Sequence, residues 1–197
     1  MQGPGDRPSH AGAPKRILVV CTANVCRSPV AEHLLRRHFA DAGHDVVVTS
    51  AGVIGGRLDP HPFTVDAARM GGIDLTQHRS RLLTRELLAT DGADLVIGMA
   101  REHVAHIVGL DRSVWPRTFT LKGLVRRASA VPPESRSGDW QQWLEQVGNG
   151  RHPNELLTPD PADDVRDAYG LPAGAHMAMT ADLNTLCQQL ARLAPKP

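Results

Sequence analysis

The chain is poor in cysteine and in aromatic residues, and it has no excess of charge of either sign. Three cysteines in 197 residues exclude a disulfide-rich scaffold and suit a reducing compartment. Because the 22 basic and 21 acidic residues nearly cancel, no overall attraction to nucleic acid or to an anionic membrane is expected. No apolar run approaches the length of a transmembrane helix. The sequence therefore predicts a cytoplasmic protein that binds neither nucleic acid nor membranes.

The length of the chain is typical of one domain with a substantial core. Residues 1–14 are rich in glycine, proline and alanine, and they contain no apolar stretch of the kind found in a signal peptide or an anchor. We expect these residues to form a flexible tail. Residues 15–197 are then expected to form a single domain.

A strand, a loop and a helix are predicted in succession near the N-terminus. Residues 17–20 form an apolar run with the length of a buried parallel strand, and apolar side chains recur at helical spacing over residues 30–39. Pro29 suits the first turn of the helix, and Ser28 is a candidate for its N-cap. The loop therefore lies at a helix N-terminus, where free backbone N–H groups and the helix dipole favour an anion.

Two side chains give this loop its chemistry. Cys21 is a candidate nucleophile, because a helix N-terminus stabilises the thiolate, which is the form that attacks. Arg27 ends the loop with a planar guanidinium that can hold two phosphate oxygens at once. The N–H groups between them can form a nest for a phosphate-sized oxyanion. No metal or cofactor is expected, because Arg27 and the loop amides neutralise the phosphoryl charge.

The sequence from Cys21 to Glu32 resembles the signature of the low-molecular-weight protein tyrosine phosphatase family. Cysteine and arginine are separated by five residues and followed by Ser-Pro and Ala-Glu, and residues 45–52, 71–84 and 94–99 are similar to further family segments. The resemblance implies a three-layer α/β fold, with a central four-stranded parallel sheet, helices on both faces and a phosphate-binding loop after strand 1. It also implies hydrolysis of phosphotyrosine in proteins, and of aryl phosphates, through a cysteinyl-phosphate intermediate.

The same resemblance implies roles for the residues in and around the loop. The substrate phosphate is expected to contact Thr22, Ala23, Asn24, Val25, Cys26 and Ser28. The resemblance further implies a hydrogen-bonded network that holds the loop, formed by Asn24, Ser28, Ser50 and His78. Such support is needed because a loop with strained or left-handed backbone does not hold its shape alone. A phosphotyrosine protein, such as a tyrosine kinase, is the expected partner, and a monomer or weak dimer is the expected state.

A second catalytic group must protonate the departing oxygen and then activate water. In the family it is an aspartate in an Asp-Pro-aromatic loop shortly before the last helix. Asp160 is followed by proline but not by an aromatic residue, whereas Asp167 fits the longer pattern but is followed by Ala168. We assign the acid to Asp167 and keep Asp160 as the alternative. A proline at position 168 would restrict the acid itself, so its absence predicts a less pre-organised loop.

The substrate class has alternatives within the fold. Arginine phosphatases of this type carry threonine at the position of Val25, and arsenate reductases need further redox cysteines, for which Cys187 in the apolar stripe of a C-terminal helix is a poor candidate. Phosphotyrosine is therefore preferred. Residues 53–60 lack the aromatic side chain that many relatives stack on the phenyl ring, and Tyr169 is the candidate to replace it. An alternative of another class is a non-catalytic protein that binds a phosphorylated ligand.

Three further features complete the sequence-based picture. The resemblance implies that Cys21 and Cys26 can form an oxidised pair, which in the family protects the nucleophile from irreversible oxidation. The alternative is that Cys26 is simply a small buried residue. Residues 128–158 depart from the compact family pattern, and we interpret them as an insertion docked by tryptophans on one helical face. The insertion serves either to pack against the core, or to form a wall of the substrate cleft or a surface for a partner. His103 and His106 have zinc-ligand spacing but no third ligand nearby, so no metal site is predicted.

Overall fold

The central sheet has four parallel strands in the order β2-β1-β3-β4. The computed structural model describes residues 15–89, 92–136, 139–157 and 160–195, so the expected tail at residues 1–14 lies outside the described residues. The strands are β1 (Lys15–Cys21), β2 (Val46–Gly52), β3 (Leu95–Gly98) and β4 (Thr118–Thr120). The predicted four-stranded parallel sheet is therefore confirmed.

Helices cover both faces of the sheet. They are α1 (Arg27–Asp41), α2 (Pro62–Met70), α3 (Arg85–Leu88), α4 (Arg101–Leu110), α5 (Leu121–Ala130), α6 (Trp140–Gly148) and α7 (Ala173–Leu193). Along β1, Ile17 and Val19 face a core formed with α1, α5, α6 and α7, whereas Leu18 and Val20 face a second core formed with α3 and α4. Successive strand side chains point to opposite faces, so a strand that is apolar throughout must be covered on both sides.

The topology places a crevice at the carboxyl end of β1. The chain leaves β1 through α1 to β2 on one side, while β3 lies on the other side of β1. The loops that follow β1 and β3 therefore diverge at this point, and ligands of open α/β sheets bind at such switch points. The loop that carries Cys21 begins here.

The described part of the 128–158 segment docks on the same side of the sheet as α1. Four residues on one face of α6 are buried: the predicted tryptophans, Trp140 and Trp143, together with Leu144 and Val147. The Trp140 ring lies 5.8 Å from the ring of Phe39 in α1 and 5.4 Å from that of Trp143. The tryptophans therefore attach this segment to the main core.

One local expectation needs revision, and one strand carried no signal in the sequence. Helix α1 begins at Arg27, with Cys26 at the cap position and no side-chain cap bond among the described residues, so Ser28 is not its N-cap. The Ser28 hydroxyl is instead turned back towards Cys21. Strand β4, only three residues long, carried no recognisable apolar run in the sequence.

No helix in the described ranges combines the length and the apolar character that crossing a bilayer requires.

Candidate active site

Cys21, the last residue of β1, lies at the floor of a cleft of about 690 Å³. Its Sγ atom is 2.9 Å from the Ser28 Oγ atom in the first turn of α1. The thiol is only 3% exposed, so a reacting group must reach down into the cleft. The cleft is lined by Cys21, Thr22, Ala23, Val25, Cys26 and Arg27, by Ile54, Leu58, Asp59, Pro60, His61 and Pro62, and by Asp167 and Tyr169.

Asn24 is the scaffold of the loop. Its backbone is left-handed, with φ of 57°, a conformation that asparagine tolerates better than most residues. The side-chain amide donates to the hydroxyls of Ser28 (2.9 Å) and Ser50 (2.8 Å), and its oxygen accepts from the backbone N–H of Arg81 (3.1 Å). Nε2 of His78 donates to the backbone oxygen of Asn24 at 2.9 Å. The structure thus brings together the four residues expected in the supporting network.

The network continues to Glu32, a residue to which sequence reasoning gave no role. The Ser50 hydroxyl donates to the Glu32 carboxylate at 2.6 Å, and Arg36 holds the other carboxylate oxygen at 2.5 Å. Since Ser50 spends its only hydrogen on Glu32, its oxygen is free to accept from Asn24. The spacing of Glu32 and Arg36, four residues apart on α1, is the signal that identifies the pair.

Arg27 and Asp167 meet at the mouth of the loop. Nη2 of Arg27 donates to Oδ2 of Asp167 at 2.5 Å and to Oγ1 of Thr22 at 3.0 Å, while Nη1 donates to the backbone oxygen of Val165 at 3.3 Å. The Asp167 side chain is 41% exposed, whereas that of Arg27 is buried. Nε of Arg27 is buried and has no hydrogen-bond acceptor within the described part of the chain, so it remains available to an oxyanion.

Asp160, the alternative acid, lies elsewhere. Its carboxylate accepts from the backbone N–H of Ala162 at 3.1 Å and from Nη2 of Arg101 at 3.4 Å, and it does not line the Cys21 cleft. The geometry therefore favours Asp167 as the acid. Sequence reasoning preferred Asp167 and kept Asp160 as the alternative, because each aspartate matches only part of the family pattern.

His103 reaches the loop from the other side of the crevice. Its Nε2 lies 3.0 Å from Oγ1 of Thr22, and the ring is almost completely buried in α4. Burial, reinforced by the charge of Arg27, lowers the pKa of His103 to about 3, so the imidazole is neutral. His103 thus buttresses the Thr22 hydroxyl. Its position beside Val104 and Ile107 on the buried face of α4 is the signal that sequence reasoning missed.

His106, the other half of the suspected zinc pair, is exposed. Across the described ranges, no group of three His, Cys, Asp or Glu side chains lies close enough together to hold a metal ion.

Tyr169 forms an exposed wall of the cleft, at 66% exposure. The ring lies 5.6 Å from that of His61, at an interplanar angle of 72°. His61 is in turn stacked on His176 of α7, with centroids 4.5 Å apart. The aromatic wall that residues 53–60 lack is thus provided from two other segments.

The two remaining cysteines are protonated thiols. Burial raises the pKa of Cys26 to about 11, although a hydrogen bond with Thr64 opposes the shift. Burial also raises the pKa of Cys187, which packs completely inside α7. Burial thus keeps both side chains in the thiol form at neutral pH.

The left-handed backbone of Asn24 makes a prediction about stability. Asn24→Ala loses the side-chain hydrogen bonds and places alanine in an unfavourable conformation, so we expect a loss of about 3 kcal/mol in the free energy of unfolding in urea. Asn24→Gly loses the same hydrogen bonds but adopts the conformation freely, and its loss should be smaller by about 1 kcal/mol. An equal or larger loss in the glycine variant would contradict the account of the loop.

Comparison with known proteins agrees with this geometry. The model of the family described as low molecular weight phosphotyrosine protein phosphatase matches residues 16–130. The low molecular weight protein-tyrosine-phosphatase Etp of Escherichia coli K12 is 36% identical over 126 residues, which is 62% of this chain and 80% of Etp. The protein-arginine-phosphatase of Bacillus subtilis is 39% identical over 112 residues, which is 55% of this chain and 71% of that enzyme.

A solved structure extends the match beyond residue 130. The low molecular weight protein tyrosine phosphatase from T. tengcongensis is 28% identical, with a TM-score of 0.67 over 90% of this chain and 98% of that one. The segment of Asp167 lies outside the residues matched by the family model, so its assignment depends on its contact with Arg27. With its loop, sheet order and sequence matches in agreement, the chain belongs to the low-molecular-weight protein tyrosine phosphatase family.

Proposed function

We propose that the protein hydrolyses phosphotyrosine in proteins through a cysteinyl-phosphate intermediate on Cys21. The observation that carries the proposal is the convergence of three groups at one cleft floor: a thiol at a helix N-terminus, a buried guanidinium and a carboxylate. These are the groups that a nucleophilic phosphoryl transfer with acid catalysis requires.

In the first step, the phosphate dianion of the substrate occupies the loop and accepts hydrogen bonds from the guanidinium of Arg27. The Cys21 thiolate attacks phosphorus while the bond to the aryl oxygen breaks, and Asp167 gives its proton to that oxygen. The Ser28 hydroxyl, 2.9 Å from Sγ, stabilises the thiolate by donating to it. Arg27 and the loop N–H groups hold the three equatorial oxygens, where charge is redistributed in the transition state.

In the second step, the Asp167 carboxylate removes a proton from a water molecule. The water oxygen attacks phosphorus and the P–S bond breaks, which releases inorganic phosphate and regenerates the thiolate. Asp167 thus acts as a general acid in the first step and as a general base in the second. Its partial exposure suits both tasks, because a leaving group and an incoming water can both reach the carboxyl group.

Phosphotyrosine is the proposed substrate for three reasons. The aliphatic Val25 lines the cleft where arginine phosphatases of this type carry threonine, and the buried Cys21 demands a long, slender phosphorylated side chain. Tyr169 offers an aromatic wall. The arsenate reductase alternative lacks support, because Cys187 is fully buried on the core-facing side of α7.

We also propose the wider setting expected from the sequence. The substrate is a tyrosine-phosphorylated protein, such as a tyrosine kinase, met in the cytoplasm by a monomer or weak dimer. Residues 15–197 act as one domain, with residues 128–158 as an insertion attached by its tryptophans. Among the described residues of that segment, none lines the cleft, which favours a packing role over a cleft wall.

Hydrolysis of para-nitrophenyl phosphate tests the assigned chemistry. Cys21→Ser should abolish turnover, and Asp167→Ala should lower kcat by about a hundredfold or more, since a positioned acid contributes about 10²- to 10⁴-fold. Asp160→Ala is the matched control, and its loss should stay well below that of Asp167→Ala. The reverse ranking would overturn the assignment of the acid. Binding of phosphotyrosine without turnover in the wild type would identify a binding protein instead of an enzyme.

Substrate preference is tested with two peptides of one sequence, phosphorylated on tyrosine or on arginine. We expect the phosphotyrosine peptide to have the higher kcat/KM. Val25→Thr should narrow that difference, because a hydroxyl at the cleft floor can hydrogen-bond a guanidinium but has no partner on a phenyl ring. A wild-type preference for phosphoarginine would refute the proposed substrate class.

The proposed contact of Tyr169 with the substrate ring makes a separate prediction. Tyr169→Ala should raise KM for para-nitrophenyl phosphate more than for a small alkyl phosphate, because only the aryl ring packs on the tyrosine. The side chain is exposed, so stability should hardly change. Equal changes in KM for the two substrates would rule out the contact.

A further inference from the structure

The segment that carries Asp167 is tied to the fold by a buried ion cluster. Asp163, in the 3-10 turn Pro161–Asp163, is the one acidic residue that is buried within the described ranges. Oδ1 accepts from Arg126 at 2.5 Å, and Oδ2 accepts from both Nε and Nη2 of Arg101 at 3.1 Å. Burial alone would raise the pKa of Asp163, but the two arginines outweigh it and hold the pKa below its ordinary value. The carboxylate is therefore ionised and gripped on both oxygens.

The next two residues are also pinned. Helix α4 begins after Ala100, which has no capping side chain, and the carboxylate of Asp164 accepts from the Arg101 N–H at 2.8 Å in its place. The N–H of Val165 donates to the backbone oxygen of Met99 at 2.8 Å. Residues 163–165 thus run as an anchored strip from the ion cluster to the contact of Val165 with Arg27.

Neighbouring elements are shaped to fit this cluster. Gly123 lies in the first turn of α5, and a Cβ atom there would approach the Asp163 carboxylate to 3.5 Å and the Thr120 hydroxyl to 2.5 Å. The backbone oxygen of Glu155, from the 128–158 segment, accepts from Nη1 of Arg101 at 2.7 Å. Two helices and the insertion therefore converge on one carboxylate four residues before the acid.

We infer that Arg101 and Arg126 are positioning residues for Asp167, because both bind the Asp163 carboxylate. This cluster of two arginines and one aspartate, here called the clasp, supplies the order that a proline at position 168 would otherwise give to the acid loop. The inference rests on the proposed role of Asp167. Neither arginine lines the cleft, so both act only through the segment they hold. Ala168 itself is buried, with its backbone oxygen bonded to the N–H of Leu171, but alanine leaves the φ of the acid loop unrestricted.

The test compares two aryl phosphates that depend differently on the acid. Phenol has a pKa of about 10, like tyrosine, and leaves poorly without a proton, whereas para-nitrophenol is more acidic and leaves more easily. The readout is the ratio of kcat/KM for para-nitrophenyl phosphate to kcat/KM for phenyl phosphate. A misplaced acid raises this ratio, whereas general loss of folded enzyme lowers both rates together and leaves it unchanged.

Arg126→Ala is the main variant, because its side chain is 55% exposed and its loss should not prevent folding. We expect the ratio to rise about fivefold, a fraction of the full contribution of a general acid. Asp163→Asn, which keeps the shape but removes the charge, should raise the ratio further. Arg126→Lys should stay close to the wild type. Arg127→Ala is the matched control, since Arg127 follows on the same helix and pairs with Glu155, not with the acid segment.

The outcomes separate the inference from the function on which it rests. If both Arg126→Ala and Asp163→Asn hydrolyse the two substrates with an unchanged ratio, the clasp does not position Asp167. The proposed phosphatase activity would still stand. An equal rise in Arg127→Ala would also overturn it, because the effect would then reflect any lost charge on α5. Absence of hydrolysis by the wild type would refute the proposed function, and the inference with it.

Discussion

The site depends on one backbone conformation, the left-handed turn at Asn24. This turn directs the chain from the end of β1 into α1, so it brings Cys21 and Arg27 to the same cleft. It persists because the side-chain amide and the backbone oxygen of Asn24 have partners on Ser28, Ser50, Arg81 and His78. Strained or unusual backbone at a functional site is held in this way by its surroundings.

Electrostatic order spreads outwards from that loop in two directions. On the nucleophile side, Glu32 fixes the direction of the Ser50 hydroxyl and hence of the Asn24 amide. On the acid side, Arg27 contacts Asp167, and a second carboxylate, Asp163, anchors the segment to α4 and α5. The neutral His103 supports Thr22 without adding a positive charge beside Arg27. Arg27, Asp167 and Asp163 therefore each have a charged partner.

Local features of the site could be predicted from the sequence, but contacts between distant segments could not. The strand, loop and helix around Cys21 are consecutive, so their pattern was readable. Asp167 meets Arg27 across 140 positions of sequence, and only the folded chain reveals that contact. His103 was considered as a zinc ligand because spacing reveals a helix face, not what lies against it. Strand β4 escaped detection because three residues are too few for a periodic pattern.

The central claim is that the phosphoryl group is transferred to the sulfur of Cys21 before it is hydrolysed. Trapping of this covalent intermediate tests the claim most directly. Wild-type enzyme mixed with an aryl phosphate, quenched within milliseconds and digested, should yield phosphate bound through sulfur on the peptide that contains Cys21. Asp167→Ala should still form this adduct with the good leaving group para-nitrophenol, and should hydrolyse it more slowly. A burst of product with no phosphorylated peptide, or with phosphate on any residue other than Cys21, would contradict the account.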